Sequence, residues 1–249
     1  MNLKWLSLIL LPFLSTTIAT HSQQDPFADD GPDNSSPRMI RVLAEFIEMP
    51  QNTYTQLVAQ PRTGANNADL RAKCAKLIED KKARIAETFS VVTLPGQGST
   101  IESIREVIYP TEPELFNSLP GGQQPALARI PKILGTPPTP SAFDTRNVGS
   151  TFEVEAQIDP SNKIVEMRLT PNIVYHADTK VWSTWQAGEA KVEKTTPLFY
   201  VLTTKTGLTV VDGQTHLAST LSPQNEQGLT DSSRKVMFFV RADIITVEL

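Results

Sequence analysis

Three pairs of carboxylates stand close enough along the chain to suggest acid–base work: Glu45 and Glu48, Glu112 and Glu114, Glu153 and Glu155. Such a pair catalyses proton transfer when its surroundings push the two pKa values apart. No nucleophile or metal-ligand set accompanies any of them, and Glu153 and Glu155 fall on one strand face, where solvation or cross-strand pairing is the ordinary state. The three histidines, His21, His176 and His216, are far apart, and none has a second histidine or cysteine two or four residues on, so no zinc site is expected. Cys74 is the only cysteine, which excludes an internal disulfide. No Gly-x-Ser-x-Gly occurs. Gly96-Gln97-Gly98 is too short for a phosphate loop and opens no helix. Trp182 and Trp185 could stack on a sugar or sit at a membrane interface, but packing against a sheet is their commoner use. The expected inventory is therefore no catalytic residue, no metal and no cofactor.

Charge narrows the classes further. The 249 residues carry 27 acidic and 23 basic side chains, a formal charge of −4, with both signs interspersed. Nucleic-acid binding needs a positive patch, and none is present. The first residues read as a secretory signal: Lys4 is followed by a short apolar run over residues 5–14 and small residues after it. Cleavage after Ala19 or Ser22 fits, giving a signal peptide over residues 1–22. The run is too short to span a bilayer, and no later stretch is long and apolar enough for a helical span. Residues 23–37 are acidic and rich in Pro, Asn and Ser, the composition of a flexible leader. The protein is thus expected to be exported, and large enough to bury a core without staples.

Periodicity gives the elements of one domain over residues 38–249. Residues 39–49 alternate, with Ile40, Val42, Ala44 and Phe46 on one face, as a half-buried strand does. A short helix follows Pro50. Residues 66–82 form the best helix: Asn66 or Asn67 can cap it, and Leu70, Cys74, Leu77 and Ile78 make its apolar stripe. Strands are expected over 83–94 and 100–109. Residues 110–146, rich in Pro and Gly, read as a long irregular connection. From Gly149 the chain reads as strand and turn: a hairpin around Asp159, a strand over 197–211, a tight hairpin turn at Asp212-Gly213 with its return over 216–219, a polar loop over 222–233, and a last alternating strand. The fold class is α+β, mostly antiparallel sheet, with one or two early helices. Gly149 at the start of a strand, and Asp212 with Gly213 in the turn, are the structural residues singled out.

Several of these stretches, in order, resemble the secretins, the ring-forming outer-envelope proteins of bacterial type II and type III secretion and type IV pilus machines. Ala44-Glu45-Phe46-Ile47-Glu48 is similar to the family's opening Ala-x-Phe/Ile-x-Glu strand, and a helix follows in both. Thr93 to Gln97 resembles a Leu-Asn-Gly-Gln-like turn, and Ile108-Tyr109-Pro110 a segment ending in Tyr-Pro. Val148 to Ile158 is similar to Val-Gly-x-x-Leu-x-Val-x-Pro-x-Ile, with Phe152 for Leu and Ala156 for Pro. Asp212-Gly213-Gln214-Thr215 matches the family's hairpin unchanged, and the last strand resembles its closing strand. The family's Gly-Gly-Leu and gate-like segment after that hairpin has no counterpart here, and its array of ring domains is represented only by the short leader.

The resemblance implies a secretin-like core standing alone, in the outer membrane or periplasm of a bacterial envelope. It implies self-association or association with other secretion or pilus proteins, and a possible contact with the outer membrane. A second reading is a soluble periplasmic module that binds a protein partner by strand addition at a sheet edge.

Overall fold

The computed structural model describes residues 37–59, 64, 66–113, 140–187 and 190–247. Among them the chain forms β1 (Arg38–Pro50), α1 (Gln51–Val58), α2 (Ala68–Glu79), β2 (Arg84–Thr93), β3 (Gly98–Pro113), β4 (Pro140–Ile158), β5 (Ile164–Ala187), β6 (Ala190–Thr203), β7 (Thr206–Val211), β8 (Thr215–Leu221) and β9 (Arg234–Thr246). Of the signal and leader read over residues 1–37, only Pro37 lies among the described residues.

Two antiparallel sheets pack face to face. The first has the order β2-β1-β9-β8; the second has β3-β4-β5-β6, with β7 also on β5. Alternation on β1 places Ile40, Val42, Ala44 and Phe46 between the sheets, where all four are buried. The partners that meet them are Val236, Phe238, Val240 and Ala242 of β9 and, from the second sheet, Phe152, Val154, Ala156, Val165, Met167 and Leu169. Aromatic rings cross this core as a chain. Phe238 stacks on Phe46 at 4.5 Å, Phe46 meets Phe89 edge-on at 6.2 Å, and Phe89 stacks on Phe152 at 5.1 Å. The last step joins β2 to β4, and so one sheet to the other.

The helices cover the opposite face of the first sheet. Leu70 and Cys74 of α2 are buried against Ile47, Met49, Met237 and Phe239, with Tyr54 and Leu57 of α1 beside them. The expected α2 stripe therefore faces the core, and the lone cysteine behaves as a small apolar group. Glu45 anchors the helix from β1: Arg71 donates to both of its oxygens, Nε at 2.7 Å and Nη2 at 2.8 Å.

Tertiary contacts change several expectations. Of the two capping candidates, Asn66 binds the helix start, its Oδ1 accepting from Ala68 N at 2.9 Å, whereas Asn67 does not cap α2. Its Oδ1 instead accepts from Leu217 N at 2.7 Å, while its own N–H donates to Thr215 O at 2.6 Å, so it closes part of the outer edge of β8. The expected single strand over 197–211 is two strands. The break, at Thr204 and Lys205, faces Thr170 and Pro171 of β5, and Pro171 has no N–H for a ladder. The Asp212-Gly213 turn forms, but it is not a hairpin turn. β7 pairs with β5 and β8 pairs with β9, so the turn hands the chain from one sheet to the other. It is pinned from β9: Gly213 N donates to Ala242 O at 2.8 Å, and Ile244 N donates to Asp212 Oδ1 at 2.8 Å. β3 and β4 also run into the stretch read as irregular, pairing Pro110 with Phe143 and Pro113 with Pro140. Residues 114–139 lie outside the described residues.

Candidate functional site

Gly149 is not at the start of a strand. It lies well inside β4, at the point where the second sheet divides. β4 pairs with β5 from Ile158 back to Gly149, opposite Val174. Beyond that pair β4 stays only with β3, and β5 only with β6. Two separate two-stranded arms result: Ile104 to Pro113 with Gly149 to Pro140, and Tyr175 to Ala187 with Tyr200 to Ala190.

The residue type at the fork follows from space. Gly149 has φ +129°, and a Cβ there would clash with the Ser103 carbonyl oxygen, far inside van der Waals contact, and lie 3.0 Å from Ile104 Cα. Only glycine allows β3 to approach so closely while β4 turns away. The next residue, Ser150, donates its hydroxyl to Glu87 of β2, which ties the fork to the first sheet.

The arms touch at one aromatic cluster. Phe199 of β6 lies 5.7 Å from the Tyr109 ring and 6.0 Å from the His176 ring, with the Arg146 guanidinium 5.9 Å from its centroid. That last contact is a cation–π geometry. The other face of the β3/β4 arm is open and mixes apolar side chains with Glu106, Thr145 and Asn147. Ile104, Ile108 and Phe143 share it by register, and Ile108 and Phe143 are 64% and 60% exposed. Among the described residues no strand pairs with the outer edges of β3 or β6, nor with the edges of β4 and β5 that are left single above the fork. A two-stranded ribbon is marginal alone in water, and its open edges are templates for further strands. The arms are long: β5 has 24 residues, or about 80 Å of extended chain.

A charged cluster closes the end of the core below the β5/β6 arm. Glu48 is only 4% exposed and accepts from Arg84 of β2 and Arg234 of β9. Arg234 also donates to Asp231 Oδ2 at 2.7 Å and to the Gln224 carbonyl. Hydrogen bonds from Ser233 and Arg234 hold the Asp231 carboxyl down at about 2. Its contribution is therefore present above the ordinary carboxylate value and is lost as pH falls through about 2. Glu48→Gln keeps the shape but removes the charge that two guanidinium groups share. It should cost about 2 kcal/mol in a urea titration, the scale of a partly buried charge-assisted bond.

The sequence candidates are not brought together. Glu45 and Glu48 are three apart on a strand and so face opposite sides of the sheet. Glu153 and Glu155 are exposed on the outer face of the second sheet, and Arg168 lies 3.7 Å from Glu155. Glu112 is in β3, while Glu114 and the side chains of Trp182 and Trp185 lie outside the described residues. Among the described residues no group of three His, Cys, Asp or Glu could hold a metal ion. His176 joins the arm contact, whereas His216 is buried opposite Val240 with no partner at Nε2. Burial pushes its pKa below the ordinary histidine value. The neutral ring suits the fold, so stability should be full above about pH 6.5 and fall as acid is added below it. His216→Phe should flatten this part of a melting-temperature profile against pH.

The sequence reading passed over Glu87, Ser150, Phe199 and Arg234. Glu87 carries a usable signal: it is a charge two residues from Phe89, which faces the core. Phe199 and Ser150 carry none, since their roles depend on partners that are distant in sequence.

No family model matches the chain, and no curated protein matches it. Among solved structures it is similar to secretins. The pilotin–secretin AspS–GspD complex of ETEC superimposes with a TM-score of 0.40 at 15% identity, covering 85% of this chain and 50% of that one. The Klebsiella pneumoniae type II secretion system outer membrane complex of PulD, PulS and the PulC HR domain gives 0.40 at 14% identity, covering 87% and 41%. The InvG secretin domain β-barrel from the Salmonella SPI-1 injectisome gives 0.38 at 9% identity, covering 86% and 63%. The chain thus spans between 41% and 63% of the length of these secretins.

Proposed function

We propose that this chain is a non-enzymatic, secretin-like subunit of a bacterial envelope secretion or type IV pilus machine, and that its two arms join those of neighbouring copies in a shared ring. The observation that carries the reading is the pair of unpaired, two-stranded arms above Gly149. Ribbons of this kind gain most of their stability when their edges are paired. Strand direction favours it too. β3, β4, β5 and β6 alternate in direction, so β3 and β6 run opposite ways. Identical copies set side by side then meet β6 to β3 antiparallel, and repetition can close without a mismatch. The sequence resemblance supplies the machine: the ordered motifs from Ala44 to the Asp212-Gly213-Gln214-Thr215 turn.

Residues 175–187 of β5 extend about 40 Å, more than the roughly 30 Å of a hydrocarbon core. A ring of such arms is long enough to reach across an outer membrane. Among the described residues no helix is long and apolar enough to cross one. The sandwich below would then meet other envelope proteins of the machine.

Replacing residues 178–197 by a two-residue turn tests the reading. The sandwich core lies outside this cut, so its melting temperature should hold, while the large assembly formed by the intact mature chain in detergent should be lost. An assembly of unchanged size would remove the arms from the account. One observation favours the module reading instead: among the described residues β2 pairs only with β1 and exposes Ile85 and Val92 beside its open edge. A monomer that captures an extended peptide along β2 would support it.

A further inference from the structure

The polar segment 222–233 carries the least expected order in the chain. It folds back on itself: Asn225 N donates to Leu229 O at 2.7 Å, Asp231 N donates to Pro223 O at 2.7 Å, and Asn225 Oδ1 accepts from both Gln227 N and Leu229 N. Its base is keyed into the first sheet by Arg234, which reaches Glu48, Asp231 and the Gln224 carbonyl together. The start of α1 is bound to it as well, with Gln51 N donating to Ser233 O at 2.7 Å. The segment is therefore a stiff projection rather than a slack connection.

Its far side meets both strands of the β5/β6 arm at the arm's bend. Register slips between His176 and Asp178, so Ala177 is the extra residue of a bulge. Bulges are where a strand is re-aimed. Gly228, at φ +72°, faces this residue so closely that an added Cβ would lie 2.5 Å from Ala177 Cβ. On the other strand, the Tyr200 hydroxyl donates to Ser222 O at 2.8 Å. Lys235 Nζ donates to Ser222 Oγ at 2.8 Å and holds that end of the segment to β9.

We infer that residues 222–233 act as a strut that sets the angle of the β5/β6 arm on the sandwich, with the Glu48–Arg234–Asp231 cluster as its footing and Gly228 and Tyr200 as its points of thrust. This rests on the arms being the assembly surface, and it adds what aims one of them. Ring closure among identical copies needs a reproducible angle between neighbours, because a small error repeats at every interface. A bulged two-stranded ribbon does not supply that angle by itself.

The test is a distance. In the mature chain with Cys74→Ala as background, spin labels are placed at exposed Ser90→Cys on the first sheet and Thr179→Cys on the arm. Labelled protein is diluted into unlabelled protein, so that only distances within one copy are read. The starting protein should give a narrow distribution. Gly228→Val, which pushes on Ala177, should shift its mean, and Tyr200→Phe, which removes one bond without adding bulk, should broaden it about twofold. Deleting residues 225–229 serves if either substitution misfolds, and circular dichroism with a melting curve identifies that case. Distributions unchanged in all folded variants would overturn the strut. The size of the assembly is recorded separately: a distance that responds in protein that never assembles keeps the strut and removes the ring reading.

Discussion

Gly149→Val should be the most damaging single substitution in the described chain, costing about 4 kcal/mol or more. Two costs add. The backbone sits at φ +129°, outside the range that a β-branched residue adopts. The new side chain would also be driven into the Ser103 carbonyl on a paired strand, a rigid neighbour that can yield only if β3 and β4 separate. Loss on that scale removes much of the 5–15 kcal/mol by which domains are stable, so the variant should accumulate as insoluble protein or unfold at a much lower urea midpoint. Gly96→Ala is the control. It too has positive φ, +76°, but nothing lies within 4 Å of the added carbon. It should cost about 1 kcal/mol. Equal costs at the two sites would mean that conformation alone, and not the close approach at the fork, fixes glycine at 149.

Phe46→Ala should cost about 3–5 kcal/mol, the scale of removing a fully buried aromatic side chain. Phe46 is the middle of the ring chain: it stacks on Phe238 and meets Phe89, which carries the contact across to Phe152. The hole would open in the core between the two sheets, beside the rings of Phe89 and Phe238. Urea unfolding should show a lower midpoint with an unchanged slope. A changed slope would mean that the sheets part independently and that the sandwich does not unfold as one unit.

The sandwich was legible because its strands obey a period of two. Ile40 to Phe46 and Phe152 to Ile158 declare their buried faces in the sequence, and the Leu70–Cys74 stripe declares the covered face of α2. The pairing was not legible. Asp212-Gly213 reads as a hairpin turn on local grounds, and the turn does form. Which strand each flank then joins depends on Met167, Leu208, Phe239 and Leu217 finding partners far along the chain. Asn67 shows the same limit: a good capping residue is better placed bonding the edge of β8.

The site was legible only in part. The motif around Gly149 could be recognised, but its meaning could not, because φ +129° and the approach of Ser103 exist only once β3 lies beside β4. Glu48 stands out in the sequence only as half of a carboxylate pair with Glu45, while Glu87 could have been singled out as a charge two residues from Phe89. The strut could not: residues 222–233 have the composition of any polar loop, and their order comes from Arg234 reaching across to β1.

One image would decide most. Mature protein extracted in mild detergent and viewed by electron microscopy should show closed rings of uniform diameter, with the arms forming a continuous wall. Single sandwiches at every concentration, with both arms unpaired, would contradict the claim that these ribbons were built to be completed by other copies.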